Sequence, residues 1–262
     1  MSGPAWVWGL PLAPMTRSEA TGAVMGLIEA GVPSYFITAN VHYAMLTAER
    51  PELSRINDRA AFVLADGAPL VWASKRGPVP LPERVAGSDL IYDLAKAAAV
   101  QGRSIYLLGG AEGVAIEAAR KLQSLYPGLK IAGTACPSPG ALSGEGCRQV
   151  IADIKAARPD LLMVALGQPK GELWLSEHLD DLAVPVAVQV GATLDFVAGR
   201  VRRAPRLLQK TGLEWAYRIT TDPTRLFPRY VKNALFLFGR VAQDLVPRRN
   251  RPSDNPLAVE KK

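Results

Sequence analysis

The sequence predicts a three-layer α/β domain on a mainly parallel sheet, followed by a basic helical appendage. Three observations carry this expectation. Short, continuous apolar runs recur between residues 34 and 195, each stopped by glycine or a small polar residue, as for parallel strands buried on both faces. Stretches of helical spacing separate them, and repeated strand–turn–helix units place helices on both faces through right-handed crossovers. From Arg200 onward the chain turns basic, with 15 Lys and Arg against 5 Asp and Glu, where the preceding part has 16 against 19. Residues 1–199 are therefore expected to form a Rossmann-like α/β body and 200–246 a helical appendage. The Pro- and charge-rich end, 247–262, is expected to be disordered.

With 262 residues, 48% hydrophobic and 21% charged, the chain can bury a sizeable core. No run reaches the roughly 18 apolar residues of a membrane span; the best, 184–199, is broken by Gln189 and Asp195. The N-terminus shows no basic n-region of a signal peptide. Two cysteines, Cys136 and Cys147, lie far in sequence from His42 and His178. They are too few for a structural zinc site, and a cytosolic protein with free thiols is expected.

In chain order, Ser34 to Asn40 reads as a strand ending in Thr38 and Asn40, which could project to one side of the strand end; alternatively Asn40 caps a helix from His42 to Ala48. Ala61 to Ala65 reads as a central strand that stops at Asp66-Gly67, with a helix from Ala68 to Ser74 and Pro69 in its first turn. Asp66 would then face the crevice at the carboxyl edge of the sheet, where open α/β sheets bind ligands, or merely cap that helix. Arg84 sits in the next loop as a phosphate or carboxylate clamp, or as an ion-pair partner of Glu83 or Asp89. Ser88 or Asp89 would cap a helix from Leu90 to Val100.

Arg103 to Gly113 reads as a strand and a Gly109-Gly110 turn, with a helix running to about Tyr126. Such a glycine turn lets backbone N–H groups approach an anion. Gly109-Gly110-x-x-Gly113 is short of the dinucleotide fingerprint, and no acidic residue follows at the ribose position. A nicotinamide cofactor is not expected, whereas a nucleotide diphosphate remains open. A short strand from Leu129 to Ala132 precedes a Pro/Gly/Ser loop and a helix from Cys147 to Ala157. The strand after Asp160 ends in Gly167-Gln168-Pro169 and opens a helix from Glu172 to Leu182. Pro185 to Asp195 repeats the pattern. Thr38, Asn40, Asp66 and Gln168 would converge on one edge.

The appendage is aromatic as well as basic, and Pro223 and Pro228 are expected to break it. From Tyr230 to Leu245, Val231, Ala234, Leu235, Phe238, Val241 and Leu245 follow helical spacing, flanked by Arg229, Lys232 and Arg240. The stripe would dock on the body or lie on an anionic membrane surface.

Together these stretches resemble the WecG/TagA/CpsF family of bacterial glycosyltransferases. The likeness covers about residues 8 to 240. It is carried by Thr38-Ala-Asn40, Leu64-Ala-Asp-Gly67, Arg84-Val-Ala-Gly-Ser-Asp89, Leu107-Leu-Gly-Gly110, Val164 through Trp174, Asp195-Phe-Val-Ala-Gly199, Arg203-Ala-Pro205 and Gly212 through Arg218. The resemblance implies inverting, metal-independent transfer of a hexosyl, N-acetylhexosaminyl or uronosyl group from a UDP-sugar to a polyprenyl-diphosphate-linked saccharide. The work would be done at the cytoplasmic membrane face, in making cell-surface polysaccharide and without a cofactor. It implies Asp66 as base and Thr38, Asn40 and Arg84 lining the pocket; Gly109, Gly110, Gly167, Gln168, Glu172 and Asp195 are the further candidates for binding substrate. Arg218, Arg225 and Arg229 would close over the diphosphate, and Lys232 and Arg240 would touch the membrane. Two departures leave the donor sugar open: Gly171 stands where the family usually has glutamine, and Thr134-Ala-Cys-Pro-Ser-Pro replaces a loop that is often aromatic.

Inverting transfer needs a base for the acceptor hydroxyl and a stabiliser for the departing diphosphate. The sequence has no Asp-x-Asp, so Arg84, the Gly109-Gly110 turn and an appendage arginine are the candidates for that charge. A non-catalytic nucleotide-sugar-binding protein is the alternative. A nucleic-acid-binding tail is disfavoured, because no such motif is visible and the charges accompany an apolar stripe. Association into a homo-oligomer is left open.

Overall fold

The computed structural model describes residues 3–205, 208, 214–221 and 223–245. The expected disordered tail, 247–262, lies outside the described residues.

The first unit is a hairpin, β1 (Ala5–Val7) and β2 (Leu10–Leu12), followed by α1 (Arg17–Ala30). Its turn, Trp8-Gly9, has positive φ at both positions, 51° and 85°, the twist a two-residue hairpin needs. Thr16 and Glu19 form a capping box that starts α1, and Gly31 ends it in the left-handed conformation. Then come β3 (Ser34–Ala39), α2 (Val41–Glu49), α3 (Pro51–Arg59), β4 (Val63–Ala65), α4 (Ala68–Ser74) and α5 (Gly87–Gln101). The second half is β5 (Ser104–Gly109), α6 (Val114–Leu125), β6 (Lys130–Ala135), α7 (Gly144–Ala157), β7 (Leu161–Ala165), α8 (Lys170–Leu182), β8 (Val186–Gln189) and α9 (Thr193–Ala198). The appendage contributes α10 (Glu214–Thr221) and α11 (Pro223–Leu245).

The sheet has eight strands in the order β1-β2-β4-β3-β8-β7-β5-β6; β1 and β2 are antiparallel and every other pairing is parallel. Helices cover both faces. One apolar layer joins Tyr35 and Ile37 to α2, α3, α4, α7 and α8 through Tyr43, Leu53, Leu70, Ile154 and Trp174. The other joins Phe36 and Met163 to α1, α5, α6 and α9 through Val24, Leu90, Val114 and Leu194. Successive strand residues alternate between the layers, which is why strand residues are apolar on both sides. The three-layer, mainly parallel fold predicted from sequence is the one observed.

Three local expectations need correction. Neither Ser88 nor Asp89 caps α5, whose cap residue is Ala86 with no side-chain bond; Asp89 is engaged by arginines instead. The strand predicted over Leu129–Ala132 runs on to Ala135, because its edge position beside β5 continues the ladder past Gly133. Of the two breaks expected in the appendage, Pro223 does open a new helix after α10, but Pro228 breaks nothing, since one helix runs from Pro223 to Leu245. Pro223 is its first residue, where no intrahelical N–H is needed, and Pro228 forfeits a single bond near the start.

Candidate active site

Chain order places the join between the two halves of the sheet at β3 and β8. The carboxyl ends of parallel strands open a crevice at such a switch point. Gln168, just past β7, reaches over the tip of β8 to β3. Its Nε2 donates to Thr38 O at 3.2 Å, and its Oε1 accepts from Asn40 Nδ2 at 3.0 Å. Asn40 also caps α2, accepting from Tyr43 N–H at 3.1 Å. Its two sequence readings are therefore both realised: Oδ1 caps the helix while Nδ2 faces Gln168. Thr38 is buried, and its hydroxyl donates to Gln189 O at 3.4 Å.

Asp66 follows β4 directly, held by its N–H on Ala39 O at 2.7 Å. It does not cap α4, whose cap residue is Gly67 without a side-chain bond. Its Oδ2 instead accepts from the Gly87 N–H at 3.4 Å. A Cβ on Gly87 would stand 3.4 Å from Thr38 Oγ1, so the start of α5 bridges Asp66 to Thr38. The half-buried Asp66 thus stands at the same strand edge as Thr38, Asn40 and Gln168.

Arg84 pairs with Asp89 at 3.4 Å, and Arg203 grips the same carboxylate through two bonds, 2.6 and 3.1 Å. Burial pushes the Asp89 carboxyl up, but the bonds and charge of Arg203, with Arg84 and Arg17, hold it below the usual range. Asp89 therefore anchors two guanidinium groups beside the site. Arg203 and Arg200, which pairs with Glu117 at 2.9 Å, also tie residues 200–205 to the body.

The Gly109-Gly110 turn is imposed by packing. A Cβ on Gly109 would stand 2.6 Å from Ala165 O, and the Gly110 N–H is satisfied by that same oxygen at 3.1 Å. The turn shapes the edge, and this N–H is not free for a diphosphate. Gly167 is exposed with open space beside it, and Asp195 is half-buried in the first turn of α9.

The appendage returns to this edge. Asn233 of α11 is buried and accepts from His42 Nδ1–H at 3.0 Å. Trp8 meets Phe236 edge-to-face at 6.1 Å and donates to Asp244 at 3.4 Å. The charge of Arg229 is felt by both His42 and Glu172, in the first turns of α2 and α8. Arg218 and Arg225 lie on α10 and α11, with side chains outside the described residues. Lys232 is exposed, whereas Arg240 lies over the Phe236 ring at 5.1 Å. Trp215, Phe227, Val231, Leu235, Phe238 and Val241 all stand exposed, Phe238 by 77%. The stripe read from sequence is thus the outer face of α11, and its opposite face does the docking. His42, to which sequence reading gave no role, is a docking contact. Nothing in its immediate sequence signals this, because its partner is 191 residues away.

Glu172 is only 2% exposed, and neither carboxylate oxygen makes a hydrogen bond of ordinary geometry. Burial pushes its pKa up to about 7, against the opposing influence of its own backbone N–H, Gln168 and Arg229. Burial, then Arg229, push His42 down to about 4. Among the described residues no cluster of three or more His, Cys, Asp or Glu could hold a metal, and no helix is long and apolar enough to cross a membrane.

Residues 5–251 match the model of the glycosyl transferase WecG/TagA/CpsF family. Two similar proteins carry the name N-acetylglucosaminyldiphosphoundecaprenol N-acetyl-beta-D-mannosaminyltransferase. One, from Bacillus spizizenii, is 32% identical over 227 residues, covering 83% of this chain and 86% of that protein. The other, from Staphylococcus aureus, is 34% identical over 195 residues, covering 73% and 74%.

The pH dependence of stability tests the Glu172 environment. Its folded pKa stands above the ordinary value of 4.5, so the folded chain keeps a proton that the unfolded chain has lost. Stability from this group is complete below about pH 4.5 and is lost as pH rises through about 7. His42 acts oppositely, costing stability as pH falls from 6.5 towards 4. Glu172→Gln should remove the first slope and keep the second. Its stability relative to the parent should rise by about 1–3 kcal/mol between pH 5 and 8, read by urea unfolding at several pH values. Parallel pH profiles for the two proteins would show that Glu172 titrates normally.

Proposed function

This chain belongs to the WecG/TagA/CpsF family of glycosyl transferases, and from that premise we propose that it moves an N-acetylhexosamine, N-acetylmannosamine first among candidates, from a UDP-sugar to a sugar carried on polyprenyl diphosphate. The observation that supports this best is the Asp66 carboxylate, grouped with Thr38, Asn40 and Gln168 at the sheet's switch point. The names of the relatives supply the acceptor class and a β-linked product. An α-linked UDP donor giving a β product requires inversion. The acceptor hydroxyl oxygen bonds to the anomeric carbon from the face opposite the diphosphate. The anomeric carbon–oxygen bond to UDP breaks, and the hydroxyl proton passes to Asp66.

The departing diphosphate needs positive charge. Arg84, held by Asp89, and Arg229, brought over the edge by α11, can supply it without a metal, with Arg218 and Arg225 as further candidates. Gly109 and Gly110 shape the wall, while Gly167, Gln168, Glu172 and Asp195 complete the donor side. We assign the reaction to the inner face of the cell membrane. The outer face of α11 would lie in the interface, with its apolar side chains in the acyl boundary and Lys232 at the anionic headgroups.

Asp66→Asn is expected to cut turnover by about 10²–10⁴ while leaving UDP affinity within a few-fold, as measured by UDP release with a lipid-linked acceptor and by calorimetry. Near-parental turnover would remove Asp66 as the base. EDTA is expected to leave turnover unchanged; a strict requirement for added Mn²⁺ or Mg²⁺ would overturn the assignment of the leaving-group charge to arginine.

Vesicle binding tests the membrane role separately. Leu235→Glu with Phe238→Glu alters only exposed positions, so the fold should persist. Each buried apolar side chain contributes about 1.5–3 kcal/mol. The double variant should therefore lose sedimentation with anionic vesicles yet keep turnover on a short-chain soluble acceptor. Lys232→Glu should weaken binding and flatten its salt dependence. Undiminished sedimentation of the double variant would rule this face out.

A further inference from the structure

Gln189 ends β8 in the middle of the sheet and is only 2% exposed. Its Oε1 accepts from the Leu166 N–H at 3.4 Å, and its Nε2 is buried without a hydrogen-bond partner among the described residues. The carboxamide lies against Gly171, in the first turn of α8. A Cβ on residue 171 would stand 2.5 Å from Cδ, 2.7 Å from Nε2 and 2.8 Å from Oε1 of Gln189. Gly171 does not have positive φ, so the backbone itself would accept a side chain there. A helical glycine costs about 0.5–1 kcal/mol relative to alanine, and here a side chain at 171 would have to displace the buried Gln189 carboxamide. Residues 171 and 189 thus compete for one space.

That space lies behind the loop that builds the site. Leu166, which Gln189 holds, begins the loop, Gln168 bonds Thr38 and Asn40 from its middle, and Glu172 follows Gly171 directly. The carboxamide oxygen gives the loop an acceptor, which an apolar group of equal size would not. We propose that Gln189 is a positioning residue for the donor side of the transfer reaction proposed above, on which this inference rests. Its carboxamide sets the 166–172 loop and turn so that Gln168 meets the end of β3. Positions 171 and 189 are alternative roots for that one group.

The test is a set of three variants, followed by donor KM, kcat, UDP calorimetry and thermal unfolding. Gln189→Met keeps the bulk and removes the carboxamide. It should hold the unfolding midpoint while raising donor KM about tenfold, the loss of one ordinary hydrogen bond, with kcat changed less. Gly171→Gln alone forces two side chains into one space and should lower both midpoint and activity. Gly171→Gln combined with Gln189→Gly should recover both, with KM within about threefold of the parent, as a shared site requires. A parental KM for Gln189→Met would show that Gln189 only fills space, and a double variant no better than the worse single one would show that the positions are not interchangeable; either result overturns the proposal. Failure of the parent protein to transfer sugar from any UDP donor would instead sink the reaction. UDP affinity and unfolding midpoints would still decide the shared site, because neither depends on turnover.

Discussion

Gln168 reaches from the loop after β7 across β8 to the end of β3, and its two hydrogen bonds hold the halves of the sheet together at their ligand edge. The rest of the site depends on this span. Asn40 can cap α2 and face the crevice together only because its amide has an acceptor on one side and its carbonyl a donor on the other. Asp66 stands in the same group because β4 pairs with β3 in parallel register, placing Ala65 beside Ala39. A polar network of this kind is stable when its members are satisfied. Two of the buried groups that lack a hydrogen-bond partner among the described residues, the Glu172 carboxylate and Gln189 Nε2, lie immediately behind it.

The appendage shows how one helix can serve two surfaces. One side of α11 carries Leu226, Asn233 and Phe236 against the body, with the His42–Asn233 bond and the Trp8–Phe236 contact fixing its rotation. That rotation brings the charge of Arg229 within reach of His42 and Glu172 and turns Phe227, Val231, Leu235 and Phe238 outward. Packing, charge delivery and the outward apolar stripe are consequences of one register. An exposed apolar stripe of this size is unfavourable in water, which supports the proposal that this face meets a membrane. Moving the stripe by one residue would rotate it about 100° and carry Arg229 away from the edge.

Gly171 illustrates how a departure from an expected residue can be local in sequence and shared in space. The resemblance leads one to expect glutamine at this position, and the carboxamide of Gln189 fills the place beside it. Reading along the chain treats the two as unrelated, 18 residues and a strand apart.

By itself the sequence determined the strands from β3 to β8, the helices that follow them except α3, and the parallel sheet. These follow from local physics: continuous apolar runs, helical spacing, and the rule that parallel strands need crossovers. It also marked Thr38, Asn40, Asp66 and Gln168 as strand-end residues, because glycine and small polar residues interrupt apolar runs visibly. The hairpin at Ala5–Leu12 escaped notice, because three-residue strands are too short to show a period. The Arg84–Asp89 pair was among the readings of the sequence, whereas the grip of Arg203 on the same carboxylate, 114 residues away, left no sign in it. Tertiary structure alone decided that Asp66 bonds Gly87 rather than capping a helix, that His42 docks the appendage, that the α11 stripe faces outward, and that Gln189 occupies the space beside Gly171. Each is a contact between residues far apart in the chain. Such contacts depend on strand order and helix rotation, which minimise the energy of the whole packed molecule and leave no signature in any single segment.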